Sequence, residues 1–130
     1  MLVLDTSFLV DLLRGREEAS EKLCQLEEEY DLVCTTSMNV LELYKGAHLS
    51  AKKHQNLENL RKILDQILVL SITEETYEIF GAISAWLKSE GGPIGDFDLV
   101  IASIALVYGA AIVTNDQHLK RVPHIKIISY

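Results

Sequence analysis

Hydrophobic and polar positions change period several times along the chain. Residues 1–4, "MLVL", are uniformly apolar and stop at Asp5, which predicts a short strand. Phe8, Leu9, Leu12 and Leu13 then recur on one helical face until Gly15 ends the run. Residues 17–29 form an acidic amphipathic helix with Leu23 and Leu26 facing inward, and "DLVCT" at 31–35 reads as a second strand. Thr36 or Ser37 offers a side-chain oxygen to cap a helix carrying Val40, Leu41, Leu43 and Tyr44. A longer helix covers about 52–66, and "ILVLSI" at 67–72 is a third strand. Ser71 and Glu74 fit a capping box that opens a helix running through Trp86 and Leu87. Gly91, Gly92 and Pro93 break that helix, and "GDFDLVIASIA" starts another that ends near Gly109. "AAIVT" at 110–114 is a buried strand halted at Asn115-Asp116, and "IKIIS" at 125–129 is the last. Strands separated by helices call for a parallel sheet covered on both faces, so the fold class is α/β.

Length and composition narrow the classes. With 130 residues the chain makes one domain, 1–130, with a core of its own. A hydrophobic fraction of 48% with 24% charged residues argues against disorder. No apolar stretch reaches the roughly 18 residues that a spanning helix needs. The opening segment has no basic leader and carries Asp5 and Asp11 among its apolar residues, which predicts a cytoplasmic protein that does not enter a membrane. Cys24 and Cys34 lack C-x-x-C spacing and are expected to be reduced, small hydrophobes. His48, His54, His118 and His124 form neither an H-E-x-x-H motif nor a cluster with cysteine, so a structural zinc is not expected. The net charge of −7 opposes a nucleic-acid partner unless a bound cation reverses the local field.

The acids at strand ends supply that possibility. In open α/β sheets the functional crevice lies beyond the carboxyl ends of the strands. Asp5, Thr6 and Ser7 follow the first strand; Thr114, Asn115 and Asp116 follow the fourth. A parallel sheet brings these groups to one edge although more than a hundred residues separate them. Each acid also has a plain structural reading. Asp5 is an N-cap type, and Asp116 in "TNDQH" suits a turn. Glu42 can pair with Lys45 one turn on, worth a few tenths of a kcal/mol. Asp96 and Asp98 both suit the positive end of a helix macrodipole. Helical spacing separates this pair. Asp98 shares a side with Ile101, Ala102 and Ala105, where an unpaired carboxylate is costly, whereas Asp96 lies about 160–200° around the helix and is placed to cap it.

Taken jointly, Asp5, Glu42, Asp98 and Asp116 reach one sheet edge with no clustered arginine or lysine to offset them. A divalent cation removes the repulsion, and carboxylate-only ligation suits Mg²⁺, or Mn²⁺, rather than zinc. Such a site can bind phosphate oxygens and activate water. Nearby Thr and Ser hydroxyls can orient the carboxylates.

These four segments, in this order, resemble the PIN domain, and specifically the VapC type of toxin ribonuclease. "VLDTSFLVDLLRG" is similar to the family's opening strand–Asp–Thr/Ser–helix segment, with Asp5 as first acid. "TTSMNVLELYKGA" resembles the second motif, in which a helical Glu, here Glu42, precedes a Gly. "IGDFDLVIASIA" matches I-G-x-x-D-x-x-I-A with Asp98 on the acidic position, and "AIVTNDQHLKRV" resembles the ending that carries the fourth acid, Asp116. The resemblance implies a three-layer α/β/α domain with about five short parallel strands, acting as a Mg²⁺-dependent endoribonuclease on an RNA substrate. It also implies a homodimer held inactive by a VapB-like antitoxin. Asp5 and Asp98 are then the expected direct metal ligands, and Glu42 and Asp116 complete the cluster. Thr6, Ser7, Asp96, Thr114 and Asn115 support it, with Asp96 either joining the site or capping its helix. Arg14 and Lys45 near helix ends can contact phosphates or simply be solvated.

Three rivals remain to be weighed. A phospho-accepting receiver domain needs a mid-chain strand ending in Asp and a late strand-terminal Lys, and "ILVLSI" supplies no such Asp. A PIN-like module that binds RNA or protein without cutting would have no reason to carry all four acids. A nuclease for RNA processing or DNA cleavage keeps the chemistry without the toxin role, against which the small size and lack of an appended RNA-binding domain speak. The apolar sets around 40–49 and 57–64 serve either a dimer interface or the core.

Overall fold

The computed structural model describes all 130 residues. Five strands, β1 (Leu2–Leu4), β2 (Val33–Thr36), β3 (Leu68–Leu70), β4 (Ala111–Val113) and β5 (Ile127–Ile128), form a single parallel sheet in the order β3-β2-β1-β4-β5. Six helices connect them: α1 (Thr6–Leu13), α2 (Glu17–Glu29), α3 (Ser37–Leu49), α4 (Lys53–Leu64), α5 (Glu74–Ser89) and α6 (Asp96–Val107). A 3₁₀ turn at Gln117–Arg121 follows β4. No helix is long and apolar enough to cross a membrane.

Strand alternation sorts the core into two layers. Leu2 and Leu4 of β1, with Ala111 and Val113 of β4, pack against Phe8 and Leu9 of α1, Leu26 of α2 and Leu60 of α4. Val3 and Ile112 point to the opposite face, where Leu87 of α5 and Leu99, Ile101, Ile104 and Ala105 of α6 cover them. The inner strands are buried on both faces, which is why they read as unbroken apolar runs. The chain therefore moves outward from β1 to β3 with α1–α4 in its connections, then returns through α5 and α6 to place β4 beside β1. Strand order reverses between β1 and β4, and in open α/β sheets it is at such a reversal, beyond the carboxyl ends of the strands, that the functional crevice lies.

Local signals were right in kind and sometimes displaced. Thr36, not Ser37, caps α3: its Oγ1 accepts from the Asn39 N–H at 3.3 Å. The capping box expected from Ser71 and Glu74 is absent. Helix α5 starts later, and Thr76 Oγ1 accepts the Thr73 N–H at 3.0 Å instead. Gly91 and Gly109 end α5 and α6 with φ of 73° and 64°, a left-handed region costly for residues with a Cβ. Of the two apolar sets around 40–49 and 57–64, Leu43, Ala47, Leu57 and Leu60 enter the core, while Leu41 and Leu49 are exposed. Cys34 fills the core and Cys24 lies at the surface, both as free thiols.

The paired central strands are the platform for everything at their carboxyl ends. Ile112→Ala removes a fully buried side chain from β4 and should cost about 2–5 kcal/mol. Urea unfolding should show this as a lower midpoint with an unchanged m-value.

Candidate active site

Asp5 leaves β1 at the strand-order reversal and stands at the N-cap position of α1, yet its side chain makes no capping hydrogen bond. Its carboxylate is instead held from two sides. Asn39 Nδ2 donates to Oδ1 at 2.8 Å, and Thr114 Oγ1 donates to Oδ2 at 2.6 Å. The main chain fixes the residue as well, because the Asp5 N–H donates to the Val113 carbonyl at 3.1 Å. Asp5 is buried, so these charge-assisted bonds offset the cost of taking a carboxylate out of water. The cap alternative for this residue does not hold.

Glu42 enters from the first half of α3. Its Oε1 accepts the Thr6 hydroxyl at 2.8 Å, and Thr6 Oγ1 in turn accepts from Asn39 Nδ2 at 3.0 Å. No salt bridge joins Glu42 to Lys45, which is exposed. Asp116 follows β4 and does serve its turn: Oδ1 accepts the His118 N–H at 2.9 Å and lies 3.0 Å from His118 Nδ1. Its own N–H donates to Thr114 Oγ1 at 3.0 Å, so a single hydroxyl ties Asp116 to Asp5.

Asp98 sits in the first turn of α6, half-buried, with Ile101, Ala102 and Ala105 on its side of the helix fully buried. Its pKa is raised above the ordinary carboxylate value. Burial is the largest cause, followed by the charges of Asp116, Asp5 and Glu42, with His118 acting in the opposite sense. Asp98 thus feels the other three acids named from the sequence. None of the four makes an ion pair with lysine or arginine; the one pairing is that of Asp116 with His118. The side chains are close enough to repel but stand apart, and no three acidic, histidine or cysteine residues are posed to grip an ion.

The remaining expectations divide. Thr6 and Thr114 are in the hydrogen-bonded network. Ser7 is not: its Oγ is buried without a partner. Asn115 is exposed. Asp96 is corrected from cap to first helical residue, because Gly95 occupies the N-cap position and leaves no side chain to cap with. Asp96 is exposed at the positive end of α6, where its charge still suits the macrodipole. Arg14 is exposed and lines a cavity of about 240 Å³ between α1, α3 and α4, whose wall also includes Glu42. Arg121 Nη1 donates to the Pro93 carbonyl at 3.3 Å, tying the 3₁₀ turn to the loop that launches α6.

Asn39 was missed at the sequence level. Its signal was present, since T-x-x-N at 36–39 is a cap pattern and Asn39 lies three residues before Glu42 on the same helix. The cap and the acid cluster share this residue, since one amide bonds both the Thr36 N–H and Asp5.

A PIN domain family model matches residues 2–125. Ribonuclease VapC2 of Rickettsia felis is 27% identical over 124 residues, covering 95% of this chain and 92% of that protein. Ribonuclease VapC1 of Haemophilus influenzae strain R2866 is 30% identical over 115 residues, covering 88% and 85%. In the crystal structure of Rickettsia felis VapBC2 bound to a DNA fragment from their promoter, a chain superposes with a TM-score of 0.91 at 26% identity, covering 99% of this chain and 98% of that one. Fold and the extent of these matches agree, and the chain belongs to the PIN domain family.

Proposed function

We propose that the protein is a VapC-type endoribonuclease, the toxin of a toxin–antitoxin pair, working through a divalent cation held by Asp5 and Asp98 with Glu42 and Asp116 completing the site. The observation that carries this reading is the state of Asp98, whose raised pKa comes from burial and three acids that no lysine or arginine offsets. A fold gains nothing from that repulsion, and a divalent cation would relieve it. The donor set is oxygen only, which fits Mg²⁺ or Mn²⁺.

When bound, the ion would polarise a phosphodiester and lower the pKa of an attacking water. The chain's own residues do the placing. Asp5 is immobilised between Asn39 and Thr114, and Asp98 is carried to the crevice by a buried helix. Glu42 and Asp116 are the acids left to orient the attacking water or accept its proton. The products would be a 5′-phosphate and a 3′-hydroxyl. Arg14, beside Glu42, and Lys45 are the candidate phosphate contacts. A VapB-like antitoxin as inhibitor and a homodimeric assembly in the cytoplasm follow from the family resemblance, and the VapC relatives and the VapBC2 complex support the antitoxin partner.

RNA cleavage should require added Mg²⁺ or Mn²⁺ and stop on chelation. Asp98→Asn should abolish cleavage while the far-ultraviolet circular dichroism stays that of the wild type. Wild-type turnover by this variant would sink the assignment. Asp5→Ala should abolish cleavage too, but at a further cost of about 1–3 kcal/mol in stability, because it strands the Asn39 and Thr114 donors in a buried site.

The pKa of Asp98 supplies an independent check without divalent ions. An acid whose folded pKa is raised binds more protons folded than unfolded over the interval from its ordinary value to the raised one, so stability falls as pH rises through that interval. In chelator at neutral pH, Asp98→Asn should therefore melt a few degrees above the wild type. The difference should shrink as pH is lowered and vanish below the ordinary carboxylate pKa. A variant that melts with or below the wild type across the whole range would mean that Asp98 bears no such load.

A further inference from the structure

Asn39 is fully buried, and all four hydrogen-bonding positions of its side-chain amide are in use. Oδ1 accepts from the Thr36 N–H at 3.3 Å and from Thr36 Oγ1 at 2.7 Å. Nδ2 donates to Asp5 Oδ1 at 2.8 Å and to Thr6 Oγ1 at 3.0 Å. The orientation of this amide cannot be reversed. A backbone N–H can only donate, so Thr36 obliges the amide oxygen to face it, and the NH₂ group must then face Asp5 and Thr6. Thr6 Oγ1 has one hydrogen. Since it already accepts from Asn39, that hydrogen goes to Glu42 Oε1, 2.8 Å away. Donor and acceptor direction therefore runs from the main chain at the end of β2, through one amide, to two carboxylates on different elements.

A purely structural role would not need this. Capping α3 uses the oxygen of the amide alone, and packing in a buried site is met by leucine, of nearly the same size. The two N–H donors serve no backbone group of a helix end. Both are aimed at the side chains that begin α1, in a buried place where an unpartnered polar group costs about 1–3 kcal/mol. Thr114 holds the other oxygen of Asp5, so the carboxylate is fixed between β4 on one side and the start of α3 on the other.

We propose that Asn39 is a positioning residue for the reaction: its amide sets Asp5 directly, and Glu42 through Thr6, in a fixed mutual arrangement that exists before any ion or substrate arrives. This rests on the assignment of Asp5 and Glu42 to the catalytic site. Asn39 touches no reacting atom and acts only through the acids it holds.

The test uses the full chain, comparing wild type, Asn39→Leu, Thr6→Val and the double variant at a temperature well below their melting points. Asn39→Leu should lower kcat for RNA cleavage by about tenfold or more, the scale of a misplaced catalytic group, with KM changed by less than about twofold. It should also weaken Mn²⁺ binding severalfold by calorimetry, a readout that needs no turnover. Thr6→Val should lower kcat in the wild-type background and lower it much less once Asn39 is gone, because both changes break one path to Glu42. If Asn39→Leu does not fold, Asn39→Asp keeps an oxygen for Thr36 but replaces the donor facing Asp5 with an acceptor, and the same loss of kcat is expected. Folded Asn39 variants with wild-type kcat and Mn²⁺ affinity, or fully additive losses in the cycle, would overturn the inference. If instead the wild type cuts no RNA with Mg²⁺ or Mn²⁺ present, it is the nuclease reading that fails, and the inference with it.

Discussion

The site depends on one pairing, the parallel ladder between β1 and β4. Leu4 stands opposite Val113, so the next residues along each strand, Asp5 and Thr114, are neighbours although 109 positions separate them. That adjacency exists because the chain builds one half of its sheet outward from β1 and then returns across the other face to start the second half. Two strands that leave the same line in opposite directions cannot have a helix packed over the gap between their carboxyl ends. A polar crevice follows from the topology. Asp5 and Asp116 stand at that reversal of strand order, beyond the ends of the central strands β1 and β4, which are buried along their length.

Gathering acids there has a cost, which the structure distributes unevenly. Asp5 is the most confined and the best compensated, with two short hydrogen bonds to its carboxylate. Glu42 and Asp116 are each met by a donor, the Thr6 hydroxyl and the His118 N–H. Asp98 makes no hydrogen bond of its own, and it is the acid whose pKa is displaced upward. The first three are therefore part of a fixed frame, while Asp98 carries the repulsion. If the site binds the cation proposed above, that ion would find a rigid ligand just after β1 and a destabilised one on α6, and it would gain most from relieving the second.

Much of this was legible in the residues, because the signals were local and strong. Apolar runs of three to six residues between helical periods gave the five strands, and a polar residue directly after a strand is a statement about the sheet edge. Two kinds of feature were not legible. Helix starts shifted wherever several Ser, Thr or Asp residues competed to cap, as with Ser71 against Thr73 and Asp96 against Gly95. Such choices are settled by where neighbouring elements need the chain to go, at energies of about 1 kcal/mol. Asn39 was hidden for a different reason. Its cap signature is local, but its function depends on Asp5 and Thr6, 34 and 33 residues away, and no spacing within one helix reports that. By the same token Ser7, two residues from Asp5 in sequence, stays outside the network, its hydroxyl buried without a partner.

The net charge of −7 and the proposed polyanionic substrate are reconciled by distance and by local count. At physiological ionic strength a surface charge is largely screened beyond about 8 Å, so acids far from the crevice do little to an approaching phosphate. What matters there is the four carboxylates, with His118 beside one and Arg14 near another. One divalent cation neutralises half of four ionised carboxylates, and two neutralise all of them. Neutral is sufficient for contact but supplies no attraction. If the substrate is the RNA proposed above, the pull on it would have to come from basic side chains near the acids. On the proposed function the candidates are Arg14, which shares a cavity wall with Glu42, and Lys45, while Arg121 holds the loop leading into α6 through the Pro93 carbonyl.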